Sequence, residues 1–470
     1  MYKYEKIIKY ITDSVETGNL NYGEKIPSLR FMSDKFGCNL SVVMQAYSNL
    51  ESLGVIYSVE KSGYFISPPG LNPIPTLDGE IYSLKKEEAK PLSIIGNIVE
   101  ASNDKSIAPL GAGIPDSTIL PIKDIQKSIS RVLRNTPEVL YGYSNEAGSF
   151  KLRQEISRVL LNRGITAKPD DILITNGCIE ALSLAIQAIS YPGDTIAIES
   201  PIFMGTIQLL KELKRNIITI PTSPDLGIDI DALKKTIEKE DIKGVILTSL
   251  YQNPLGYIMP VENRKEISKI SRDYSIPIIE DDLYSDCSHL NSLENPIKSF
   301  DENGSVIYCS SFSKTVSPGL RIGWVVGGKY HKRCKGYKVS STLGGNNLLQ
   351  EALADFLHSN GYYNHVKKLQ RNIAKQAAEM KVLLEEFLPK DVAISTPKGG
   401  LFYWIELRKD IDVICIYNEC LNNKISIVPG QAFSSGERFT NCFRLSFGNP
   451  VTPFIVSAIK KLGEIIYGYY

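Results

Sequence analysis

The hydrophobic pattern of the first 67 residues predicts three helices followed by a β-hairpin. In "YEKIIKYITDSVETG" the apolar residues Ile7, Ile8, Ile11 and Val15 recur at helical spacing. A second helix is predicted in "IPSLRFMSDKFG", with Ser28 as its N-cap, and a third in "NLSVVMQAYSNLESLG". The alternating stretch "VIYSVEKSGYFIS" contains a Ser-Gly turn, which predicts two paired strands. This order of elements is typical of a winged helix-turn-helix domain.

Past residue 105 the pattern changes to apolar runs of strand length that alternate with helical stretches. Examples are "DILITNG", "DTIAIESP", "GVILTSL", "IPIIEDD" and "SVIYCSSF". Such alternation predicts an α/β domain with a buried, mostly parallel sheet, and the later "PKGGLFYWIEL" and "CFRLSFG" predict a smaller α+β unit. We therefore predict an α/β fold class with four segments, a winged helix-turn-helix reader, a linker, a large domain and a small domain, at residues 1–67, 68–105, 106–335 and 336–470.

Length and composition narrow the class of protein. With 470 residues, 43% of them hydrophobic, the chain can form several cores, and its net charge of +1 gives no overall bias toward nucleic acid or acidic membranes. The eight cysteines form no CxxC pair and the four histidines no HExxH motif, which argues against a metal site and fits a reducing cytosol. Without a signal peptide or a long apolar run, we expect a soluble, cytoplasmic protein with no membrane partner.

The stretch "SSFSKTVSPGLRIGW" holds the residues with the clearest chemistry. Lys314 follows a predicted strand, and loops at the carboxyl ends of parallel strands commonly bind ligands. Ser311, Ser313 and Arg321 offer hydroxyls and a guanidinium, which suit a phosphate monoester. A lysine beside a phosphate site predicts pyridoxal 5'-phosphate, bound to Lys314 as a Schiff base. The plainer alternative for Lys314 is a surface lysine in a loop.

Pyridoxal phosphate makes demands that other segments meet. Its ring nitrogen must stay protonated, and "IPIIEDDLYSD" offers Asp281 to hold that proton and Tyr284 to bind the ring hydroxyl. Asn253, on the turn "YQNPLG", is a second candidate for the ring hydroxyl. The remaining candidates are Phe203, whose ring could stack on the cofactor ring, and Cys178 and Ile179, whose backbone amides could bind the phosphate at the start of a helix. Plainer alternatives exist, such as an N-cap for Asp281 or a core position for Phe203.

These motifs and their order resemble two known families. Over roughly residues 106–470, "YGYSNEAGSFKLRQEI", "TNGCIEAL", "YQNPLG", "IIEDDLY", "SSFSKTVSPGLRIGW" and "FRLSFG" resemble the fold-type I aminotransferases. The leading "KIPSLRFMSDKFG" resembles the winged helix-turn-helix of the GntR family. Together they resemble the MocR subfamily of bacterial regulators, in which a GntR reader is fused to an aminotransferase-like sensor.

The resemblance implies roles for particular residues and partners. By motif position, Lys314 matches the Schiff-base lysine, and Tyr143 matches a tyrosine that reaches the cofactor phosphate of the neighbouring subunit. Arg444 matches the arginine that binds the α-carboxylate of an amino acid, although such an arginine could also form an ordinary surface salt bridge. The resemblance also implies a homodimer and a double-stranded DNA operator. The effector could be pyridoxal phosphate alone or the cofactor with an amino acid or amine.

The reader departs from the family pattern. At the start of the third helix the family commonly has Val-Ser-Arg-x-Thr, whereas here "CNLSVV" places Leu40 where the arginine is expected. The reader carries seven basic residues, at positions 3, 6, 9, 25, 30, 35 and 61, and seven acidic ones, at 5, 13, 16, 24, 34, 51 and 60. Because non-specific DNA affinity depends on phosphate neutralisation, a neutral reader should bind DNA weakly. The candidate DNA contacts are Arg30, Lys35, Ser41, Gln45 and Lys61. The plainer alternative for each of them alone is a solvated surface residue.

Three functions are compatible with this arrangement. The first is a transcription regulator that senses pyridoxal phosphate, with or without an amino compound. The second is a pyridoxal-phosphate-dependent aminotransferase with a vestigial reader, because the residues for imine exchange are all present. The third is a dimer scaffold, which the complete set of cofactor residues disfavours. We favour the first, because a full winged helix-turn-helix has no use in transamination.

Overall fold

The computed structural model describes most of the chain. The described residues are 2–21, 23–52, 55–59, 63–67, 96, 101, 104–289, 293–359 and 361–470. The linker predicted at residues 68–105 therefore lies almost entirely outside the described residues, as does Lys61 of the predicted wing.

The reader has the predicted three helices and hairpin. Its elements are α1 Lys3–Glu16, α2 Leu29–Phe36, α3 Leu40–Ser52, β1 Ile56–Val59 and β2 Gly63–Ile66, and the two strands pair antiparallel. The Ser28 side chain accepts a hydrogen bond of 3.3 Å from the backbone N–H of Phe31, which confirms it as the N-cap of α2. Gly37 ends α2 in the left-handed conformation. The core of the reader consists of Ile7, Ile11, Ile26, Met32, Val43, Ala46, Tyr47, Leu50, Ile56 and Ile66.

The large domain is built on an eight-stranded sheet, in the order β3-β10-β9-β8-β7-β4-β5-β6. Its strands are β3 Ile172–Thr175, β4 Thr195–Ser200, β5 Asn216–Ser223, β6 Gly227–Ile228, β7 Ile242–Leu247, β8 Ile278–Asp281, β9 Val306–Ser311 and β10 Gly323–Val326. β10 runs antiparallel to both neighbours and β6 to β5, while the other pairings are parallel. The five apolar runs quoted from the sequence are all strands of this sheet, so the predicted buried, mostly parallel sheet is confirmed.

Eight helices accompany this sheet. They are α4 Ile122–Asn135, α5 Phe150–Leu161, α6 Cys178–Ile189, α7 Met204–Glu212, α8 Ile230–Lys239, α9 Val261–Asp273, α10 His331–Ser341 and α11 Asn347–His358. The predicted domain boundary at residue 335 assigns most of α10 and all of α11 to the small domain. In the structure, however, α10 packs on α6, and α11 packs on α4 and α5. The two helices therefore pack with elements of the predicted large domain.

The small domain contains a four-stranded antiparallel sheet in the order β11-β12-β14-β13. Its elements are α12 Gly361–Phe387, β11 Ala393–Ile394, β12 Phe402–Glu406, α13 Val413–Asn422, β13 Val428–Pro429, β14 Cys442–Ser446 and α14 Pro453–Tyr467. The segment that begins the predicted large domain also joins this sheet, since Ala108 bridges to Ile425 and the Leu110 carbonyl accepts from the Ser446 N–H at 2.6 Å. This crossing brings the next few residues between the two domains.

The longest described helix, α12, contacts both the reader and the loop that carries the predicted cofactor lysine. Near its start, Nε2 of His365 lies 2.5 Å from the carbonyl oxygen of Thr315. Further along, Glu379 faces Glu51 of α3 and Tyr57 of β1 across a cavity of about 240 Å³. Within the described part of the chain, no helix is long and apolar enough to cross a membrane.

Candidate cofactor site

Seven of the predicted cofactor and effector residues line one cavity of about 480 Å³. The cavity lies at the carboxyl ends of β7, β8 and β9, the edge where open α/β sheets hold ligands. Phe402 of the small sheet also lines it, so both domains contribute. The seven residues are Lys314, Asp281, Tyr284, Asn253, Phe203, Ile179 and Arg444.

The Lys314 amine lies inside this cavity. Its Nζ donates a hydrogen bond of 2.6 Å to the carbonyl oxygen of Gly113, on the segment that crosses between the domains. Burial, and after it the nearby Arg444 guanidinium, lowers the pKa of Lys314 to about 8. A substantial fraction of the amine is therefore neutral near physiological pH, and only the neutral amine can attack a carbonyl group.

Asp281 ends β8 as a buried carboxyl group. The Sγ of Cys178 donates to its Oδ1 at 3.2 Å, and none of the described lysine or arginine side chains forms an ion pair with it. Burial raises the pKa of Asp281 to about 6. A cation that hydrogen-bonds to this carboxylate would reverse that shift, and a protonated pyridine nitrogen is such a cation.

The predicted phosphate-binding groups surround the start of α6. The backbone N–H groups of Cys178 and Ile179, in the first turn, have no acceptor among the described residues. Gly177, just before them, has φ of +87°, and a Cβ there would lie 2.5 Å from Nη2 of Arg321. A glycine is therefore required for the guanidinium to reach the helix start, where the positive end of the helix dipole also favours an anion.

Two hydroxyls complete this end of the site. The Oγ atoms of Ser311 and Ser313 lie 2.8 Å apart, and Oγ of Ser311 also donates to the Ile322 carbonyl at 2.9 Å. Arg321 donates through Nη2 to the Asn176 carbonyl at 2.9 Å. These bonds hold the serine and arginine side chains in place before any phosphate arrives.

Arg444, on β14, is a buried cation with neutral partners only. Its Nη1 donates to Oδ1 of Asn253 at 2.8 Å and its Nη2 to the Gly111 carbonyl at 2.7 Å, while Nε has no partner among the described residues. The guanidinium lies 4.0 Å from the ring centroid of Phe402, and burial lowers the pKa of Arg444 to about 10. None of the described carboxylates pairs with this guanidinium. The site can therefore accept a carboxylate ligand at this point.

Tyr284 is the remaining predicted residue that lines the cavity near Arg444 and Asn253. The Tyr284 ring packs edge-on against Phe402 with centroids 5.7 Å apart, and burial raises the pKa of its hydroxyl, so that the group is a hydrogen-bond donor at neutral pH. Taken together, the arrangement fits pyridoxal phosphate: a nucleophilic amine, a buried carboxylate for the ring nitrogen, and free helix amides for the phosphate.

Comparison with known proteins agrees with this geometry. Residues 105–453 match the family model of aminotransferase class I and II, and residues 3–66 match that of the bacterial regulatory proteins of the gntR family. Over 468 residues, 99% of each chain, the protein is 33% identical to the uncharacterized HTH-type transcriptional regulator YjiR of Escherichia coli K12. It belongs to the MocR subfamily of GntR-type transcriptional regulators.

This MocR-type regulator is also similar to a second regulator and to an aminotransferase of known structure. The uncharacterized HTH-type transcriptional regulator YdcR of Escherichia coli K12 is 32% identical over 467 residues, which is 99% of both chains. The crystal structure of LysN, the α-aminoadipate aminotransferase of Thermus thermophilus, complexed with N-(5'-phosphopyridoxyl)-L-leucine, covers 80% of this chain and 95% of its own. The TM-score is 0.75 at 26% identity. The regulators match the whole chain, whereas this enzyme matches most of it.

Tyr143 lies apart from the cofactor site of its own chain. Its side chain is 92% exposed, in a groove that it shares with Leu140 and Leu343. The family resemblance assigns it to the site of a neighbouring subunit, and its exposure leaves it free for that role.

Four of the predicted DNA contacts are among the described residues of the reader. Arg30, Ser41 and Gln45 are exposed on α2 and α3. Lys35 is exposed as well, but its ammonium lies 3.7 Å from the ring centroid of Tyr10. This cation–π contact gives Lys35 a role within the reader.

Several residues that shape the cavity were not predicted from the sequence. Gly111 and Gly113 place backbone carbonyls beside Arg444 and Lys314, and a Cβ on Gly113 would lie 2.7 Å from the Phe402 ring. The signal for them is the "LGAGIP" stretch, where two glycines flank an alanine just after the predicted linker. Leu283, between the two acids and Tyr284, also lines the cavity and could have been found as the apolar residue of "EDDLY".

The lowered pKa of Lys314 predicts how fast the regulator captures its cofactor at different pH values. The rate of pyridoxal phosphate capture should rise as pH increases through about 8 and then level, because the amine loses its proton there. Arg444→Gln removes a cation that lowers this pKa, so the midpoint should move to higher pH. Stopped-flow absorbance of the cofactor-free protein measures this, with Nα-acetyl-lysine as the control amine. A rate still rising above pH ~10, the range of an unperturbed lysine, would contradict the assignment.

Proposed function

We propose that this MocR-type regulator binds operator DNA as a cytoplasmic homodimer and that occupancy of the Lys314 site changes its DNA affinity. The observation that carries the sensor part is Arg444, a buried guanidinium with no anionic partner among the described residues, in the same cavity as a lysine of lowered pKa. An amine and a carboxylate receptor side by side fit an α-amino acid. The effector is therefore pyridoxal phosphate together with an α-amino acid.

The chain's own residues hold the cofactor and the effector. Bound pyridoxal phosphate supplies an aldehyde that exchanges reversibly between amines. Lys314 holds the cofactor, Asp281 keeps a proton on the ring nitrogen, and Tyr284 donates to the ring hydroxyl. The phosphate is held by the first turn of α6 together with Ser311, Ser313 and Arg321.

Effector binding exchanges partners at Arg444. Its guanidinium now donates to the neutral oxygens of Asn253 and Gly111, and a carboxylate would replace at least one of these bonds with a charge-assisted one. The released Asn253 amide can then turn to the ring hydroxyl, the role predicted for it from the sequence. Phe203 and Phe402 form apolar walls that exclude water around the reacting amine.

Two features support the homodimer. Tyr143 is nearly fully exposed although it matches a tyrosine that serves the neighbouring subunit's phosphate. A two-fold dimer would also present two readers to two half-sites, which compensates for the weak binding of one neutral reader.

We propose that α12 couples the sensor to the reader. At its start, His365 contacts the residue after Lys314, and the Tyr362 hydroxyl donates to Asp286. A 27-residue helix spans about 40 Å, so a displacement of α12 at its sensor end also displaces the end that contacts the reader. Where α12 meets the reader, burial raises the pKa of the Glu379 carboxyl group, Lys375 lowers it and Glu51 raises it, so that the net shift is upward. The effector acts by favouring one arrangement of this contact over another.

A substitution at this contact tests the proposal. Val382 of α12 lines the cavity between α12 and the reader, and Val382→Asp places a third carboxylate beside Glu51 and Glu379. We expect the variant to keep its cofactor absorbance and its DNA binding but to lose the effect of ligand on DNA affinity, measured by fluorescence anisotropy. Asn364→Asp, an exposed position on the same helix with the same charge change, should behave like the wild type. Full ligand dependence in Val382→Asp would exclude α12 as the route.

A further inference from the structure

The exposed surface at the start of α3 carries two apolar and two uncharged polar side chains, where a reader helix is usually basic. Helical spacing places Leu40, Ser41, Met44 and Gln45 side by side, and all four are exposed. Leu40 is 44% and Met44 55% exposed. The only charged residue of the helix, Glu51, lies near its opposite end. Leu40 and Met44 lie one helical turn apart, so their side chains are neighbours on this face of α3.

The position of α3 in the fold identifies the partner. In a helix-turn-helix domain the helix after the turn enters the major groove, and its first residues reach the base edges. Basic groups flank this end of α3: Arg30 is exposed on α2, and Nζ of Lys3 donates to the Gly37 carbonyl at 2.5 Å, in the turn before α3. These cations can meet phosphates on either side of the groove. The residues of α3 that would meet the base edges include no cation.

The chemistry of that surface selects among base pairs. Guanine is read most often by arginine or lysine, and α3 has neither. Thymine presents a methyl group in the major groove, which suits an apolar side chain, and adenine presents a donor and an acceptor that a glutamine amide can bind together. The Gln45 amide has no hydrogen-bond partner among the described residues, so it is available.

We propose that α3 reads an A·T-rich half-site, with Leu40 and Met44 against thymine methyls and Gln45 on adenine. This rests on the proposed DNA-binding function and specifies the class of sequence recognised. Because the neutral reader gains little from phosphates, methyl contacts carry a larger share of the specific affinity than in a basic reader.

The test begins with selection from a random duplex library by the full-length protein with bound cofactor. We expect A·T-rich half-sites to be enriched. In the selected duplex, each thymine is then replaced in turn by deoxyuridine, which removes only the methyl group. At one or two positions per half-site, the affinity should fall roughly fourfold, the amount expected for one buried methyl group. In Met44→Ala or Leu40→Ala, the same replacement should have no further effect at the corresponding position.

A second probe tests the glutamine. Replacing adenine by 7-deazaadenine removes the N7 acceptor, and the loss of affinity should disappear in Gln45→Ala. Enrichment of guanine-containing half-sites, or wild-type affinity unchanged by every deoxyuridine, would overturn the inference while leaving DNA recognition intact. If no sequence were enriched, the proposed operator binding would fail and the inference with it. Because Met44 and Gln45 are exposed, circular dichroism should show these variants folded like the wild type.

Discussion

Lys314→Ala should abolish the visible absorbance near ~420 nm that lysine-bound pyridoxal phosphate gives. The Lys314 amine is the only lysine amine lining the described cavity, and its pKa, lowered to about 8, makes it reactive at physiological pH. Without it the proposed phosphate-binding groups around α6 can still hold the cofactor loosely, but no covalent bond forms. Absorbance spectra of the purified proteins, with excess pyridoxal phosphate added and then removed by dialysis, measure this loss.

Two further variants sharpen this result. Lys314→Arg keeps a positive charge in the cavity but offers no nucleophilic amine, so it should also lack the band. Lys367→Ala removes an exposed lysine of α12 and should keep the band at full height. A band of wild-type intensity in Lys314→Ala would show that another amine holds the cofactor, and the site would have to be reassigned.

Arg444→Gln should weaken the response to an α-amino acid by on the order of a hundredfold. A guanidinium makes two charge-assisted hydrogen bonds to a carboxylate, and at ~1.5 kcal/mol or more each their loss amounts to about 3 kcal/mol. The cofactor band should remain, because in the proposed site Arg444 would contact the effector rather than the phosphate. Titration of the holoprotein with amino acids, followed by the spectral change of the cofactor, measures the difference.

The comparison needs an appropriate control and an appropriate ligand pair. Arg408→Gln removes an arginine that pairs with Asp410 outside the cavity, so the response should stay unchanged. An amino acid and the amine that lacks its carboxylate should differ strongly with the wild type and little with Arg444→Gln. Equal responses of the wild type to both would mean that the effector is recognised through its amine alone, and Arg444 would have a structural role.

The parts of the structure that follow from local sequence could be predicted. The reader helices and hairpin, and the strands that end at Asp281 and Ser311, are set by periodicity and by turn residues within a few positions. The strand ends in turn led to the proposed cofactor lysine, because ligands gather at the carboxyl edge of a parallel sheet. Local pattern therefore carried both the fold class and the starting point of the site.

What the sequence did not show depends on contacts between distant segments. Gly113 and Lys314 are 201 residues apart in the sequence, and Asn253 and Arg444 are 191 residues apart. Neither hydrogen bond therefore has a local sequence signal. The packing of α10 and α11, which lie around and after the predicted boundary at 335, has no local signal either. The apolar face of α11 shows that the helix packs against something, but only the tertiary structure shows that its partners are α4 and α5.

The most direct test of the account is the DNA affinity of the full-length protein with and without ligand. Fluorescence anisotropy on one selected duplex at fixed salt would compare cofactor-free protein, protein with pyridoxal phosphate, and protein with cofactor and amino acid, while 2-oxo acid formation is followed with 2-oxoglutarate as acceptor. We predict that the affinity shifts with ligand in the wild type but not in Lys314→Ala, and that no more than about one product forms per site. Unchanged DNA affinity with product that keeps accumulating would contradict the account and identify the protein as an aminotransferase.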